Sequence, residues 1–190
     1  MFKNLVICTV FLMLWAGNAQ ATEMTLSFSD RTAQLAFQQQ VTNYNTGRSV
    51  LGIRGLYNEE DDHELVSGSF NVLGPLAFPG LEFGAGVQGY YVKVATNSYE
   101  VGAAGVGALI NFAPPTMPRA SFSGSIYVCP QVFNTLDSEG LWDSEVSASF
   151  QIAPRASIIA SYTKMKVDIE NLNSSLTLDN TFRVGLTLGF

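Results

Sequence analysis

The sequence has 190 residues, a length that suits one domain, and its 16 Asp and Glu outnumber its 10 Lys and Arg. The resulting formal charge of −6 speaks against nucleic acid as a partner. Only 14% of the residues are charged and 17 are Gly, a composition that suits strands better than helices.

The first 21 residues have the features of a cleaved signal peptide. Lys3 supplies a positive start, the run from Leu5 to Trp15 is apolar, and Ala19-Gln20-Ala21 has the small-x-small form of a signal-peptidase site. A membrane anchor is the alternative, but the run is shorter than the roughly 20 residues that a spanning helix needs. We therefore expect cleavage after residue 21 and a mature domain of residues 22–190, with a net charge of −7 once Lys3 is removed.

Residues 22–190 contain no apolar stretch long enough for a transmembrane helix. In a bilayer every backbone amide needs a partner within the protein, so a closed sheet is the remaining way to span a membrane. Cys129 is the one cysteine left after cleavage, so no intramolecular disulfide is expected. Its role stays open between an incidental thiol and an intermolecular disulfide.

The mature chain starts with two short predicted strands, Thr25 to Phe28 and Thr32 to Gln38, separated by a turn at Asp30-Arg31. Further on, apolar residues recur at every second position between small or polar ones. The alternating windows are Leu51 to Tyr57, Val66 to Val72, Leu81 to Tyr91, Ala120 to Val128, Trp142 to Ile152 and Ala156 to Tyr162. Glu100 to Phe112 is a further strand, rich in Gly and Ala, whose two faces the sequence does not distinguish.

Turns and loops separate these windows. Short connections are predicted at Gly74 to Gly80, Ala113 to Pro118 and Ala153-Pro154, since proline cannot donate to a strand ladder. Longer, more polar loops are predicted at Asn58 to Glu64, Cys129 to Gly140 and Val167 to Asp179.

The chain closes on a strand from Asn180 to Phe190 that has one apolar face, built by Phe182, Val184, Leu186, Leu188 and Phe190. Here the sequence resembles a bacterial outer-membrane β-barrel. In such proteins the last strand closes the barrel, and a terminal Phe is similar to the signal that the barrel-assembly machinery recognises. The resemblance implies that Phe190 contacts this machinery.

Together the windows predict an all-β fold, an antiparallel up-and-down transmembrane β-barrel with apolar residues facing lipid and small or polar residues facing the interior. The strand number lies between eight and ten, and we favour ten, which the turn at Asp30-Arg31 gives. The alternative is a soluble sandwich or lipocalin-like barrel with its apolar face turned inward. Aromatic girdles are expected from Tyr57, Tyr91, Phe112, Trp142, Tyr162, Phe182 and Phe190.

Five charged residues fall on the interior parity, or can fall on it where the faces of a strand are not distinguished: Arg54, Glu82, Glu100, Glu145 and Arg183. A barrel of roughly eight strands is filled by side chains. We therefore expect these charges to neutralise one another as a plug, and a gated solute path is the alternative.

The acidic stretch after Tyr57 is the one candidate metal site. It contains Glu59, Glu60, Asp61, Asp62 and Glu64. Clustered carboxylates suit calcium or magnesium, but this stretch lacks the spacing of an EF-hand loop, and a solvated loop is the simpler interpretation. His63 is the only histidine, and no catalytic partner for it can be located. No catalytic residue and no cofactor are predicted.

The chain also resembles the YfaZ-type family of small Gram-negative outer-membrane proteins. The resemblance rests on Gly55 to Asp62 leading into Leu65 to Val72, on the Gly-rich stretch Glu82 to Tyr91, and on the closing residues Arg183 to Phe190. It implies an outer-membrane barrel and brings no activity, catalytic residue or ligand.

We therefore expect a monomeric outer-membrane protein with a structural, surface or permeability role and no enzymatic activity. Membrane lipid and lipopolysaccharide would be its partners, the latter bridged by cations to acidic loops. A lipid-acting outer-membrane enzyme and a soluble periplasmic binding barrel are the alternatives.

Overall fold

A computed structural model describes residues 22–44, 46–59, 63–94, 99–136, 138–169 and 175–190. The predicted signal peptide, residues 1–21, lies outside this part of the chain. The described part contains no helix with the length and apolarity needed to span a membrane.

Within these ranges the chain forms eleven strands and a 3-10 helix at Gln131–Phe133. The strands are β1 (Thr22–Phe28), β2 (Thr32–Tyr44), β3 (Gly47–Asn58), β4 (His63–Pro75), β5 (Leu81–Val94), β6 (Tyr99–Phe112), β7 (Ala120–Cys129), β8 (Asn134–Leu136), β9 (Ser138–Ala153), β10 (Ala156–Ile169) and β11 (Ser175–Gly189).

The strands form one closed antiparallel barrel. Consecutive strands pair along the chain, with β7 pairing with β9, and β1 pairs with β11, so each described strand except the three-residue β8 is paired on both sides. The short β8 continues the position of β7 beside β6, because β6 pairs with β7 through residues 106–112 and with β8 through residues 101–103. The barrel therefore has ten positions around its wall, which confirms ten strands and excludes the counts of eight and nine.

Apolar side chains cover the outside of the barrel. Large apolar residues are exposed on the long strands, among them Leu26, Leu35, Ile53, Val66, Val87, Val106, Ile126, Val146, Ile158 and Val184. Residues of the other parity, such as Ser67, Gln88, Thr163 and Arg183, are buried in the interior. The period-2 pattern is confirmed with its apolar face outward, so the alternative with that face turned inward is wrong.

Both described chain ends lie at one end of the barrel, which we call the termini end. The amide of Phe190 donates to the carbonyl of Thr22 at 2.9 Å, and that of Gly189 donates to the carbonyl of Arg155 at 2.9 Å. The predicted turns at Gly74 to Gly80, Ala113 to Pro118 and Ala153-Pro154 lie at this end, between β4 and β5, β6 and β7, and β9 and β10. The opposite end, which includes residues 29–31, is called the far end.

The far-end loops are shorter than predicted. Most of Val167 to Asp179 is strand, because β10 runs to Ile169 and β11 starts at Ser175. The predicted loop Cys129 to Gly140 contains the 3-10 helix, β8 and the start of β9. In the strand part of Val167 to Asp179, the apolar Val167 and Leu178 are buried while the polar Asp168 and Thr177 are exposed, and the prediction interpreted such polar residues as loop composition.

The seam between β1 and β11 depends on a close approach at Gly185. A Cβ atom at this position would lie 2.6 Å from Ser27 Cα, whereas a Cβ at Gly189, on the same face of β11, would meet no atom within 4 Å. Gly185 therefore lets the strands that close the barrel pack directly against each other.

We predict that Gly185→Val lowers the free energy of unfolding by about 2 kcal/mol, since overpacking of a tight site costs this much. The measurement is a urea titration in detergent that follows the loss of β-sheet signal. Gly189→Val is the matched control and should unfold close to wild type. Equal stability of the two variants would contradict the role of Gly185.

Candidate functional site

Arg54 of β3 crosses the barrel interior and binds two carboxylates of β9. β3 and β9 are five positions apart among the ten, so they form opposite walls. The Arg54 guanidinium donates from Nη2 to Asp143 Oδ2 at 2.5 Å and from Nη1 to Glu145 Oε2 at 3.3 Å. Its Nε donates to Ser67 Oγ at 3.3 Å. This one side chain therefore joins walls that the backbone hydrogen bonds do not connect directly.

Neighbouring strands add hydrogen bonds to the same layer. The Tyr90 hydroxyl donates to Asp143 Oδ2 at 3.0 Å, and Gln88 Nε2 donates to Ser67 Oγ at 3.0 Å. Closer to the termini end, the Tyr127 hydroxyl donates to Asn71 Oδ1 at 2.7 Å. Side chains of β3, β4, β5, β7 and β9 thus form a polar layer, which we call the Arg54 layer.

A second buried arginine lies on β11. Arg183 is 0% exposed and donates to Asp179 Oδ2 at 2.6 Å, to Thr32 Oγ1 at 2.9 Å and to Thr163 Oγ1 at 3.2 Å. The other carboxylate oxygens of Asp179 and Asp143 accept no hydrogen bond from the described residues. Each aspartate therefore depends on its arginine for most of its compensation.

An apolar cluster fills the interior between the Arg54 layer and the far end. Its members come from strands β3 to β7 and β9 to β11 and pack against one another. They are Leu56, Leu65, Tyr90, Val92, Val101, Ala103, Tyr127, Cys129, Leu141, Met165, Val167 and Leu178. Among the described residues, this cluster and the ion pairs below it occupy the far half of the barrel interior.

The interior near the termini end is lined by small hydroxyl side chains. Ser121 pairs with Ser149 at 2.7 Å and Ser123 with Ser147 at 2.6 Å, and these hydroxyl pairs are exposed. Across the closing seam, the hydroxyls of Thr25 and Thr187 lie 2.8 Å apart. The lumen therefore changes from an apolar plug at the far end to an open, hydroxyl-lined mouth at the termini end.

Most of the predicted interior charges form ion pairs inside the barrel. Arg54 pairs with Glu145, and Glu82 accepts a hydrogen bond from Arg48 at 2.8 Å. The prediction for Glu100 is wrong, because this residue lies on the outward parity of β6 and is exposed. The sequence interpretation also missed three partners: Asp143, Asp179 and Arg48.

The acidic stretch is described only at its ends. Glu59 and Glu64 are exposed, while Glu60, Asp61 and Asp62 lie outside the described residues. No three His, Cys, Asp or Glu side chains in the described ranges are placed to hold a metal ion. The metal prediction for this stretch stays a prediction. His63 is the first residue of β4.

Cys129 is buried in the apolar cluster at 2% exposure. An intermolecular disulfide would require this thiol to leave the interior. The structure therefore favours the interpretation of Cys129 as a packing residue.

Comparison with known proteins yields structural likeness and no family. No family model matches the chain, and no curated protein matches it. A solved structure from work on the in-meso crystallisation of membrane proteins is similar at 10% identity and a TM-score of 0.46, covering 91% of this chain and 83% of that one. The outer-membrane expressed OmpT of Vibrio cholerae is similar at 7% identity and a TM-score of 0.42, covering 84% of this chain and 56% of its own length. The YfaZ-type resemblance stays a prediction.

We predict that Arg54→Met destabilises the barrel by about 3–5 kcal/mol, because it leaves two carboxylates in the interior without their cation. Adding Asp143→Asn and Glu145→Gln to the same chain should recover most of the loss. Urea titration of the purified proteins in detergent measures both effects.

Arg48→Met is the matched control for this prediction. The Arg48–Glu82 pair is about one-third exposed on each side, so its loss should cost less than about 1 kcal/mol. If Arg54→Met cost no more than Arg48→Met, the Arg54 layer would not be a stabilising connection between the walls.

Proposed function

We propose that this chain is an integral outer-membrane β-barrel with a structural and surface role, a lumen closed to solutes and no enzymatic activity. The observation that carries the proposal is the apolar outer wall around a closed barrel. Burying apolar surface in hydrocarbon is favourable by roughly 25 cal/mol per Å², whereas the same wall in water would promote aggregation.

The height of the apolar wall supports the membrane assignment. On β9, the outward positions from Trp142 to Ile152 are apolar or small. Ten steps of about 3.3 Å, at the tilt of about 40° typical of membrane barrels, give a height of roughly 25 Å. This height matches the apolar band that such barrels present to lipid.

The interior supports a closed barrel rather than a pore. A solute entering from the termini end would pass the hydroxyl-lined mouth and then meet the Arg54 layer and the apolar cluster. Moving through would require separation of Arg54 from its carboxylates and repacking of the cluster. A permeability role therefore depends on an opening of this half of the barrel.

The proposed orientation places the termini end in the periplasm and the far end at the cell surface. Phe190 is 70% exposed and continues the outward parity of β11, which leaves its ring accessible to the barrel-assembly machinery. We propose that the protein is a monomer of the YfaZ type, and that its outward partners are membrane lipid and lipopolysaccharide.

We predict that the protein sediments with the outer membrane and shows heat-dependent mobility on an SDS gel. A closed barrel with continuous backbone pairing resists SDS at room temperature and unfolds on boiling, so the unboiled sample should run as a compact band. Presence in the soluble periplasmic fraction without a mobility shift would contradict the proposal.

We also predict that wild-type protein inserted in planar lipid bilayers carries no steady ionic current, because the apolar cluster and the ion pairs leave no continuous water path. Insertion is checked on the same preparation by the heat-dependent shift. Stable current steps from inserted wild-type protein would contradict a closed lumen.

A further inference from the structure

Two lysines of β10, Lys164 and Lys166, lie on the outer wall near the far end, at positions that continue the lipid-facing parity of Tyr162. Register places four outward residues beside them on the flanking strands: Trp142 and Ser144 of β9, and Thr177 and Asn180 of β11. None of these neighbours is acidic. Neither lysine forms an ion pair with any residue of the described ranges.

Lys93, at the same end of the barrel, likewise forms no ion pair within the described ranges and differs from these two lysines in its register neighbours. It also points outward, but register places it between Glu64 of β4 and Glu100 of β6. Directly opposite side chains on neighbouring strands are about 5 Å apart at Cβ, so opposite charges attract there. Within the described residues, the acidic side chain on the same face as Lys164 and Lys166 is Asp168, two residues farther along β10, so these described side chains carry a net positive charge.

Aromatic side chains border this pair: Trp142 lies beside Lys166, and Tyr162 and Phe182 lie on the side toward the termini end. Trp142, Tyr162 and Phe182 are exposed on the outer wall, and the Tyr162 hydroxyl donates to Asn180 Oδ1 at 2.6 Å. Trp and Tyr prefer the level of lipid headgroups, and lysine side chains extend toward the same level. The arrangement therefore places two ammonium groups where headgroups meet acyl chains.

A groove of about 530 Å³ begins beside Lys164 and runs down the outer wall. Ser144, Val146 and Tyr162 line its upper part, and Phe83 and Ile110 line its lower part. Gly124 forms the floor between Ile110 and Val146, since it has no side chain to fill the space. In register, this row starts six residues above the start of β10 at Tyr162 and ends two residues above the start of β5 at Phe83, so it descends past the middle of the apolar wall toward the termini end, and the acyl chain of a lipid held at Lys164 would occupy its upper part.

From this juxtaposition we infer that Lys164 and Lys166 bind the phosphate of a phosphorylated lipid whose acyl chain lies in the groove floored by Gly124. The inference rests on the proposed function, which places this end of the barrel at the cell surface. The phosphorylated lipid of that leaflet is the lipid A part of lipopolysaccharide. The site differs from the acidic stretch, which would need cations to contact the same lipid.

The test is native mass spectrometry of the full mature protein in detergent, titrated with lipid A that carries both phosphates. Lys164→Gln/Lys166→Gln should weaken binding roughly tenfold or more, since each cation near an anionic headgroup contributes on the order of a tenfold factor or somewhat less. Lys93→Gln is the matched control and should bind as wild type does. Equal binding by the double variant and wild type would overturn the site.

Three further binding experiments identify which phosphate-containing molecule occupies the site. Dephosphorylated lipid A should bind wild type and the double variant equally weakly, and inorganic phosphate alone should not compete with lipid A. If phosphatidylglycerol bound as tightly as lipid A, the assignment to lipid A would be overturned. Competition by inorganic phosphate at millimolar concentration would overturn the contribution of the acyl chain.

The groove is tested separately by Ala108→Leu, which places a larger apolar side chain in the groove without changing charge. This variant should bind lipid A several-fold more weakly, and unchanged binding would overturn the placement of the acyl chain.

Every variant is first checked for the heat-dependent gel shift. A barrel that shifts and sediments with the outer membrane yet binds no lipid A would refute this inference alone, whereas a soluble protein without the shift would refute the proposed function.

Discussion

Closure of the backbone ladder is the constraint on which the rest of this structure depends. With β1 paired to β11, each described strand except the short β8 is paired on both sides, so the long strands of the wall need no further hydrogen-bonding partner. A closed wall has only an inside and an outside, and successive side chains must alternate between them. The apolar outer face and the polar, charged inner face are therefore two consequences of one arrangement.

The interior of a ten-stranded barrel is wide, and the structure fills it with long side chains that reach across. Arginine suits this task because its planar guanidinium can donate to several acceptors at once. Arg54 uses this capacity to join β3 to β9, and Arg183 uses it to join β11 to β10 and to Thr32 at the start of β2. A buried ion pair gains little over a well-packed apolar contact, but loss of one partner is costly. Arg54 therefore holds opposite walls in one relative position, and Arg183 holds together neighbouring strands around the closing seam.

The sequence predicted the wall better than the interior contacts. Strands such as β7 and β9 have a clear difference in polarity between their two faces, so their inward and outward residues followed from parity. On β6, Gly102 and Ala104 alternate with Ala103 and Gly105, and this stretch has no such difference, which is why Glu100 was placed on the wrong side.

The pairing of Arg54 with Asp143 joins residues 89 positions apart. This pairing can be predicted only when the barrel is known to have ten strands, because that number places β3 opposite β9. With another strand number, Arg54 would face a different wall. Asp179 was missed for a different reason. In the sequence, Asp179 lies close to polar residues and resembles part of a loop. Its inward position is apparent only once its ion-pair partner Arg183, four residues later, is known to point inward.

The same alternation of inward and outward side chains places Lys164 and Lys166 on the outer wall. In the proposed membrane orientation, a lysine on the lipid-facing side of a strand is unfavourable in the hydrocarbon, so Lys164 and Lys166 would mark the height at which the hydrocarbon ends. Arg183, on the neighbouring strand, has its charge turned inward and fully paired, whereas these two charges are turned outward and left for the surroundings to neutralise. Serine or threonine could occupy both positions without introducing charge. Two neighbouring cations above an apolar groove are neutralised better by an anionic lipid than by water alone.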